Sequence, residues 1–125
     1  MSEPAYIVFA HGSSVESANQ AVRDMTLRAA QSGAWKTYAT AFLDGGRPLL
    51  PEAIGELAAI GVKEFVVIPY FLTLGLHLER DLPRLIADVR RSWPLVVIEL
   101  ARPLDGHAGL VEALLQRAKE VCKPA

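Results

Sequence analysis

The apolar run 64–68, Glu-Phe-Val-Val-Ile, continues into Pro69-Tyr-Phe-Leu-Thr-Leu-Gly-Leu-His-Leu-Glu-Arg-Asp-Leu-Pro83. A short apolar run bounded by proline is typical of a parallel strand that is buried on both faces. The glycine-hinged loop that follows carries His77, and the aspartate and proline at 81 and 83 predict a helix from about residue 82. The stretch therefore predicts a buried strand, a loop that exposes an imidazole, and a helix.

The same succession of strand, loop and helix recurs along the chain. Apolar runs predict further strands over 6–10, 37–43 and 95–100. Helical spacing of apolar residues predicts helices over 16–31, 51–61, 82–92 and 108–121. Strands that alternate with amphipathic helices indicate an α/β fold. We expect one domain over residues 1–125, with a four-stranded parallel sheet flanked by helices on both faces.

The composition excludes several classes of function. The net charge of −1 gives no basic field for nucleic acid, and no apolar run is long enough to cross a membrane. The single cysteine, Cys122, is expected on the buried face of a helix and forms no disulfide within the chain. No signal peptide is visible, so we expect a cytoplasmic protein that binds neither nucleic acid nor membrane.

The residues capable of chemistry follow the predicted strands. His11 ends the first strand, Asp44 ends the second, and His77 follows the third. Ligands of open α/β sheets bind outside the carboxyl ends of the strands, so we expect these side chains on one edge. Two imidazoles and a carboxylate suit Co²⁺, Fe²⁺, Ni²⁺ or Zn²⁺. The alternative is that each histidine only ties its loop and that Asp44 only caps a turn.

Other polar residues near this edge are weaker candidates. His107 precedes the last helix, where a surface histidine is common. Arg47, Arg80 and Arg102 can hold carboxylates through two hydrogen bonds each, although solvated surface charge is the alternative for each of them. Neither a GxGxxG fingerprint nor a P-loop is present, and the GxSxG elbow of α/β-hydrolases is missing.

Several segments together resemble the CbiX/SirB family, small class II chelatases that insert cobalt or iron into sirohydrochlorin for cobalamin or siroheme synthesis. They are Val8-Phe-Ala-His-Gly-Ser13, Asn19, Ala41-Phe-Leu-Asp44 with Pro48, Val67-Ile-Pro-Tyr-Phe-Leu72, Gly75-Leu-His77 and Asp81-Leu-Pro83. They span almost the whole chain in the family's order. Two positions depart from the family pattern: Asp44 replaces the usual glutamate, and Ser14 replaces a basic residue.

The resemblance implies a chelatase-like fold that is half of a two-domain class II chelatase, and a homodimer whose clefts both copies line. It implies that His11 and His77 are catalytic and bind the metal together with Asp44. The metal is a substrate, Co²⁺ first and Fe²⁺ or Ni²⁺ as alternatives, and no organic cofactor is expected. Residues expected to contact the tetrapyrrole are Ser13, the apolar Phe71, Leu72 and Leu74, and the cationic Arg47, Arg80 and Arg102. The alternative function is a carrier that binds metal or tetrapyrrole without catalysis; a metal-assisted hydrolase is weaker, because no nucleophile is evident.

Overall fold

The computed structural model describes residues 3–73 and 75–122, without the side chains of Leu76 and His77. Strands and helices alternate along the chain: β1 (Ala5–Ala10), α1 (Glu16–Gly33), β2 (Tyr38–Phe42), α2 (Leu50–Ala59), β3 (Glu64–Pro69), α3 (Leu76–Ser92), β4 (Val97–Leu100) and α4 (Ala108–Val121). This order confirms the predicted α/β fold.

The four strands form one parallel sheet in the order β2-β1-β3-β4. Val8 of β1 pairs with Thr40 of β2 on one side and with Ile68 of β3 on the other. The chain leaves β1 toward β2, whereas the later connections run the opposite way toward β4. Such a reversal of direction opens a crevice outside the carboxyl ends of the central strands, where ligands of open sheets bind. His11 directly follows β1 at this point.

The main core lies on the face of the sheet that α2 and α3 cover. Side chains that alternate along the strands meet apolar side chains of the two helices, as expected for buried parallel strands. The members include Ile7 and Phe9 of β1, Phe65 and Val67 of β3, Ile98 of β4, Ile54 of α2, and Leu82, Ile86 and Val89 of α3. This core fixes the strand ends and therefore the loops that carry the candidate residues.

Helix α1 buries a different face from the one predicted. Helical spacing of the apolar residues in α1 predicts a buried stripe that includes Ala21 and Met25, but both are exposed, and the buried residues are Asn19, Thr26 and Ala30. Two of these are polar, and hydrogen bonds satisfy them: Thr26 Oγ1 donates to the Val22 carbonyl at 3.0 Å and accepts from Thr40 Oγ1 at 2.7 Å. Because satisfied polar groups can be buried at little cost, an apolar pattern alone could not locate this face.

The ends of α1 also differ from the prediction. The serines at 13, 14 and 17 are the N-cap candidates by residue type, but Val15 occupies the N-cap, and Ser13 Oγ accepts a hydrogen bond from the Val15 N–H at 3.0 Å. By residue type, Gly33 suits the left-handed conformation that commonly ends a helix. That conformation belongs to Ala34, at φ 54°, whose N–H bonds the Ala30 carbonyl.

Helix α3 begins about six residues earlier than predicted. It starts at Leu76, so His77 lies in its first turn and not in a loop, and Pro83 lies inside the helix. The Glu79 N–H already bonds the Gly75 carbonyl at 3.0 Å, and Leu78 packs against the core. This apolar contact supports the turns that precede Pro83. The proline itself removes the hydrogen bond that its nitrogen would donate, and its ring crowds the carbonyl of Glu79.

Helix α4 has the predicted bounds, but its apolar residues are not covered. No residue of α4, all of which the structure describes, is buried, and Leu114 is 72% exposed. Cys122 follows the helix and is exposed, so the prediction of a core cysteine was wrong. Within residues 3–73 and 75–122 no helix has both the length and the apolar character needed to cross a membrane.

Candidate functional site

His11 is the first candidate residue at the carboxyl edge of the sheet. It follows a buried strand, and its side chain is exposed. Its Nδ1 lies 3.3 Å from the Gly12 carbonyl oxygen. Because a carbonyl can only accept a hydrogen bond, this contact is a hydrogen bond in the tautomer that carries its proton on Nδ1, and in that tautomer Nε2 keeps its lone pair. That nitrogen can bind a metal ion or accept a proton.

Asp44 follows the neighbouring strand and is held against His11 through the backbone. The Asp44 N–H donates to the His11 carbonyl at 2.9 Å, and the Leu43 N–H donates to the Ala10 carbonyl at 2.9 Å. The exposed carboxylate accepts from the Gly45 N–H through Oδ1 at 2.7 Å. The prediction that strand ends bring these two residues to one edge is therefore confirmed.

The loop after His11 and the loop that contains Asp44 approach so closely that a glycine is required at the contact. A Cβ on Gly12 would lie 1.6 Å from the Asp44 carbonyl oxygen, and its φ of +93° is rare for residues with side chains. Gly45 has φ +71°, and a Cβ there would lie 3.0 Å from the Ser13 nitrogen. A glycine directly after His11 lets a neighbouring backbone or a ligand approach closely, and in this structure the approaching group is the backbone of Asp44.

The third predicted metal ligand, His77, is placed only by its backbone. Its side chain lies outside the described residues, so its meeting with His11 and Asp44 stays a prediction. The chain leaves β3 next to β1, since the Tyr70 N–H donates to the Phe9 carbonyl at 2.7 Å. Among the described residues, no three His, Cys, Asp or Glu side chains are grouped closely enough to hold a metal ion.

The apolar residues predicted to contact a ligand differ in position. Phe71 is 8% exposed and lies in the core, edge-on to Phe9 with ring centroids 5.9 Å apart. Leu72 is 64% exposed. Leu74 lies outside the described residues. Leu72 is therefore accessible to a ligand, whereas the burial of Phe71 in the core leaves it little surface for the contact predicted from the sequence.

The candidate arginines and Ser13 also differ in their surroundings. Arg47 is exposed, and its Nη1 lies 2.7 Å from Glu52 Oε2. Arg80 is exposed on α3, and Arg102 lines an open cavity of about 370 Å³ together with His107. The Ser13 N–H donates to Asn19 at 2.9 Å, so its backbone is held within the loop.

A network from α1 holds the loop that carries Asp44. Arg23 donates to Glu16 at 2.6 Å and to the Arg47 carbonyl at 3.2 Å, and its guanidinium lies 5.3 Å from the centre of the Phe42 ring. Hydrogen bonds from Arg23 and then Asn19 keep the pKa of Glu16 below its usual range. Glu16 is therefore ionised near neutral pH and keeps Arg23 in place.

Asn19 is a site residue whose structural role the sequence did not predict. Its side chain is 1% exposed and bonds both loops. The sequence shows only an asparagine near the start of an amphipathic helix. If such a residue is buried, its side-chain amide must form hydrogen bonds with neighbouring segments.

The amino-acid sequence of this chain matches a known protein family. The model of the CbiX family matches residues 5–121. The chain belongs to the CbiX family. A sirohydrochlorin cobaltochelatase of Methanopyrus kandleri is 30% identical over 136 residues, covering 93% of this chain and 95% of the relative. That of Methanothermobacter thermautotrophicus is 46% identical over 48 residues, which span 38% of this chain and 34% of the relative.

Solved structures share the CbiX fold along almost the whole chain. The CbiX protein from Marinobacter aquaeolei VT8, named for cobalamin (vitamin B12) biosynthesis, is 28% identical with a TM-score of 0.85, covering 94% of this chain and 96% of that one. SirB from Bacillus subtilis, determined with Fe³⁺, is 23% identical with a TM-score of 0.84. The match covers 98% of this chain but 49% of SirB, so this chain spans about half the length of SirB.

Proposed function

We propose that this chain is an enzyme that inserts a divalent metal, Co²⁺ or Fe²⁺, into sirohydrochlorin, the substrate for which its cobaltochelatase relatives are named. One observation carries the proposal. In a chain of the CbiX family, His11 and Asp44 leave adjacent parallel strands, and a backbone hydrogen bond joins them at the crevice outside the sheet. A ligand set of this kind accepts first-row metal ions.

The proposed mechanism assigns each residue a task. Metal insertion requires that a partly dehydrated ion approach one face of the macrocycle and that two pyrrole N–H protons leave. His11 Nε2, with His77 and Asp44, would hold the ion. Once the ion passes to the macrocycle, each imidazole nitrogen that has released it would be free to accept one of the two pyrrole protons. Leu72 would contact the macrocycle face, and Arg47, Arg80 and Arg102 would meet its carboxylates. Arg47 would have to exchange Glu52 for the substrate, which an exposed ion pair permits at little cost.

The test is anaerobic mixing of the protein with sirohydrochlorin and Co²⁺ or Fe²⁺, with the absorbance of the tetrapyrrole recorded against the uncatalysed rate. We expect acceleration, and a loss of about 10²-fold or more in both His11→Ala and His77→Ala. His107→Asn is the matched control, because it removes an imidazole but keeps an oxygen that can replace the Nδ1 acceptor of the Gly109 N–H.

Each outcome of this experiment has a separate meaning. Full activity in His77→Ala would remove His77 from the chemistry. Binding of the tetrapyrrole without acceleration of insertion would show that the protein is a carrier and not an enzyme. Equal losses in all three variants would show that the assay reports folding and not metal ligation.

A homodimer is the second part of the proposal. Exposed apolar residues of α4 form a continuous face with the loop after β3, where Leu72, Leu110, Ala113, Leu114 and Arg117 line a groove of about 330 Å³. An apolar face of this kind marks an interaction surface. Because one copy spans about half of SirB, a second copy of this chain is the occupant that we propose.

The proposal also covers the domain organisation of the protein, its location in the cell and its cofactor requirement. We propose one chelatase-like domain over residues 1–125, a cytoplasmic location, and no organic cofactor. Activity that depends only on added metal and sirohydrochlorin would support the last point. Cell fractionation followed by immunodetection tests the location, and recovery with the membrane fraction would contradict it.

A further inference from the structure

The side chain of Asn19 is almost wholly buried and makes hydrogen bonds at both ends of its amide. Oδ1 accepts from the Ser13 N–H at 2.9 Å. Nδ2 donates to the Ser13 carbonyl at 2.9 Å, the Glu16 carboxylate at 3.2 Å and the Gly45 carbonyl at 3.3 Å. Two N–H groups serve three acceptors, so one hydrogen is shared. The Ser13 backbone fixes the orientation of the amide, because only the oxygen can accept its N–H.

The Ser13 N–H belongs to the same peptide group as the Gly12 carbonyl. That carbonyl accepts the hydrogen bond from His11 Nδ1. A continuous chain therefore runs from Asn19 Oδ1 through the Gly12–Ser13 peptide to the His11 ring, and each bond polarises the next. The exposed His11 ring has this one side-chain hydrogen bond among the described residues, and a carbonyl in this orientation favours the tautomer that carries its proton on Nδ1.

The other end of the Asn19 amide reaches the loop that carries Asp44. The Gly45 carbonyl directly follows Asp44, and the Asp44 carboxylate bonds only the adjacent Gly45 N–H among the described hydrogen bonds. Asn19 thus lies beneath the two exposed candidate side chains and joins the backbones that support them. By contrast, Thr26, equally buried on the same helix, bonds Thr40 and Val22, which lie away from these loops.

We propose that Asn19 is a positioning residue for metal insertion: it orients the Gly12–Ser13 peptide so that His11 presents an unprotonated Nε2, and it fixes the spacing between His11 and Asp44. The inference rests on the proposed function for its effect on activity. Its effect on the His11 tautomer is a property of the free protein. Groups that orient a metal-binding histidine in this way are worth about 10–100-fold in activity.

The experiment compares Asn19→Ala with Thr26→Val. The Thr26 variant removes two buried hydrogen bonds of the same helix, and neither of them involves the two loops. Long-range ¹H–¹⁵N spectra identify the tautomer of each neutral imidazole, and the chain has only three histidines. His107 is the internal reference for the opposite tautomer, because its Nδ1 accepts from the Gly109 N–H at 2.8 Å. His11→Ala assigns the His11 signal.

We expect the Nδ1–H tautomer of His11 in the unmodified protein and in Thr26→Val, and a shift toward the Nε2–H form in Asn19→Ala. Insertion of Co²⁺ should fall by about 10–100-fold in Asn19→Ala and by much less in Thr26→Val. Urea unfolding midpoints for both variants separate this loss from a loss of stability.

Asn19→Asp distinguishes the effect of the Oδ1 acceptor from that of the Nδ2 donor. It also provides a second test if Asn19→Ala folds poorly. Its carboxylate still accepts from Ser13 but cannot donate to Gly45, so His11 should keep its tautomer while insertion still falls. An unchanged His11 tautomer in Asn19→Ala would overturn the inference, and so would insertion reduced no further than in Thr26→Val. If the unmodified protein inserts no metal, the proposed function fails, and the tautomer result still decides the role of Asn19.

Discussion

At the scale of single residues, Gly12 allows the two loops of the site to meet. Replacing Gly12 by alanine forces a Cβ into the position of the Asp44 carbonyl oxygen and strains a backbone at φ +93°. We expect a loss of about 1–2 kcal/mol from the backbone alone and about 1–3 kcal/mol more from the clash. Urea unfolding monitored by circular dichroism measures the sum, and insertion activity should fall with it.

Gly61 provides the matched control for this prediction. Its φ is +104°, yet a Cβ there would meet nothing within 4 Å. Gly61→Ala should therefore lose only the backbone contribution and keep insertion activity. Equal stability losses in the two variants would contradict a close contact between the Gly12 and Asp44 loops.

At the scale of elements, the first turn of α2 depends on the ionisation of Glu52. Glu52 Oε1 accepts from the Leu49 N–H at 2.8 Å, and Arg47 lies at 2.7 Å from the other oxygen. The backbone hydrogen bond, followed by Arg47, lowers the pKa of Glu52 below its usual range. A lowered pKa in the folded state stabilises the protein above the unfolded pKa, and the contribution is lost as pH falls through the folded value.

We therefore expect Glu52 to contribute to the loss of stability below about pH 4.3, the ordinary value for glutamate. Glu52→Gln keeps a hydrogen-bond acceptor but does not titrate, so it should lose less stability on acidification than Glu56→Gln, a control at an exposed position of the same helix. Urea midpoints at about pH 7 and about pH 3.5 provide the comparison. The difference should shrink at high salt, which screens exposed charges. Identical acid responses of the two variants would contradict this role.

At the scale of the whole molecule, the apolar face of α4 determines the proposed assembly. Leu114 is 72% exposed on that face, whereas Gln116 is 200° further around the helix. Leu114→Asp should convert a dimer into monomers, because a buried unpaired carboxylate costs several kcal/mol at an interface. Sedimentation velocity measures the mass, and insertion activity should fall as the dimer dissociates.

Gln116→Asp introduces the same charge outside the proposed interface and should leave the dimer intact. A monomeric unmodified protein would contradict the homodimer. Retained activity in a monomeric Leu114→Asp variant would instead show that one copy forms a complete site.

The sequence predicted the order of elements because each strand is a short apolar run and each helix has apolar residues at helical spacing. It was less successful where polar groups are buried or where an element extends past a proline. Asn19 and Thr26 form the inner face of α1 only because Ser13, Gly45 and Thr40 supply their hydrogen bonds. Similarly, core packing of Leu78 starts α3 ahead of Pro83.

The sequence by itself determined the α/β fold and the placement of His11 and Asp44 at the ends of strands, because the periodicity that marks each strand and helix, and hence their succession along the chain, depends on neighbouring residues. Only the tertiary structure decided that Gly12 faces the Asp44 carbonyl, that Phe71 is buried, that α4 leaves its leucines exposed, and that Asn19 joins the two loops. Each of these depends on contacts between segments far apart in the chain, which a local pattern does not contain.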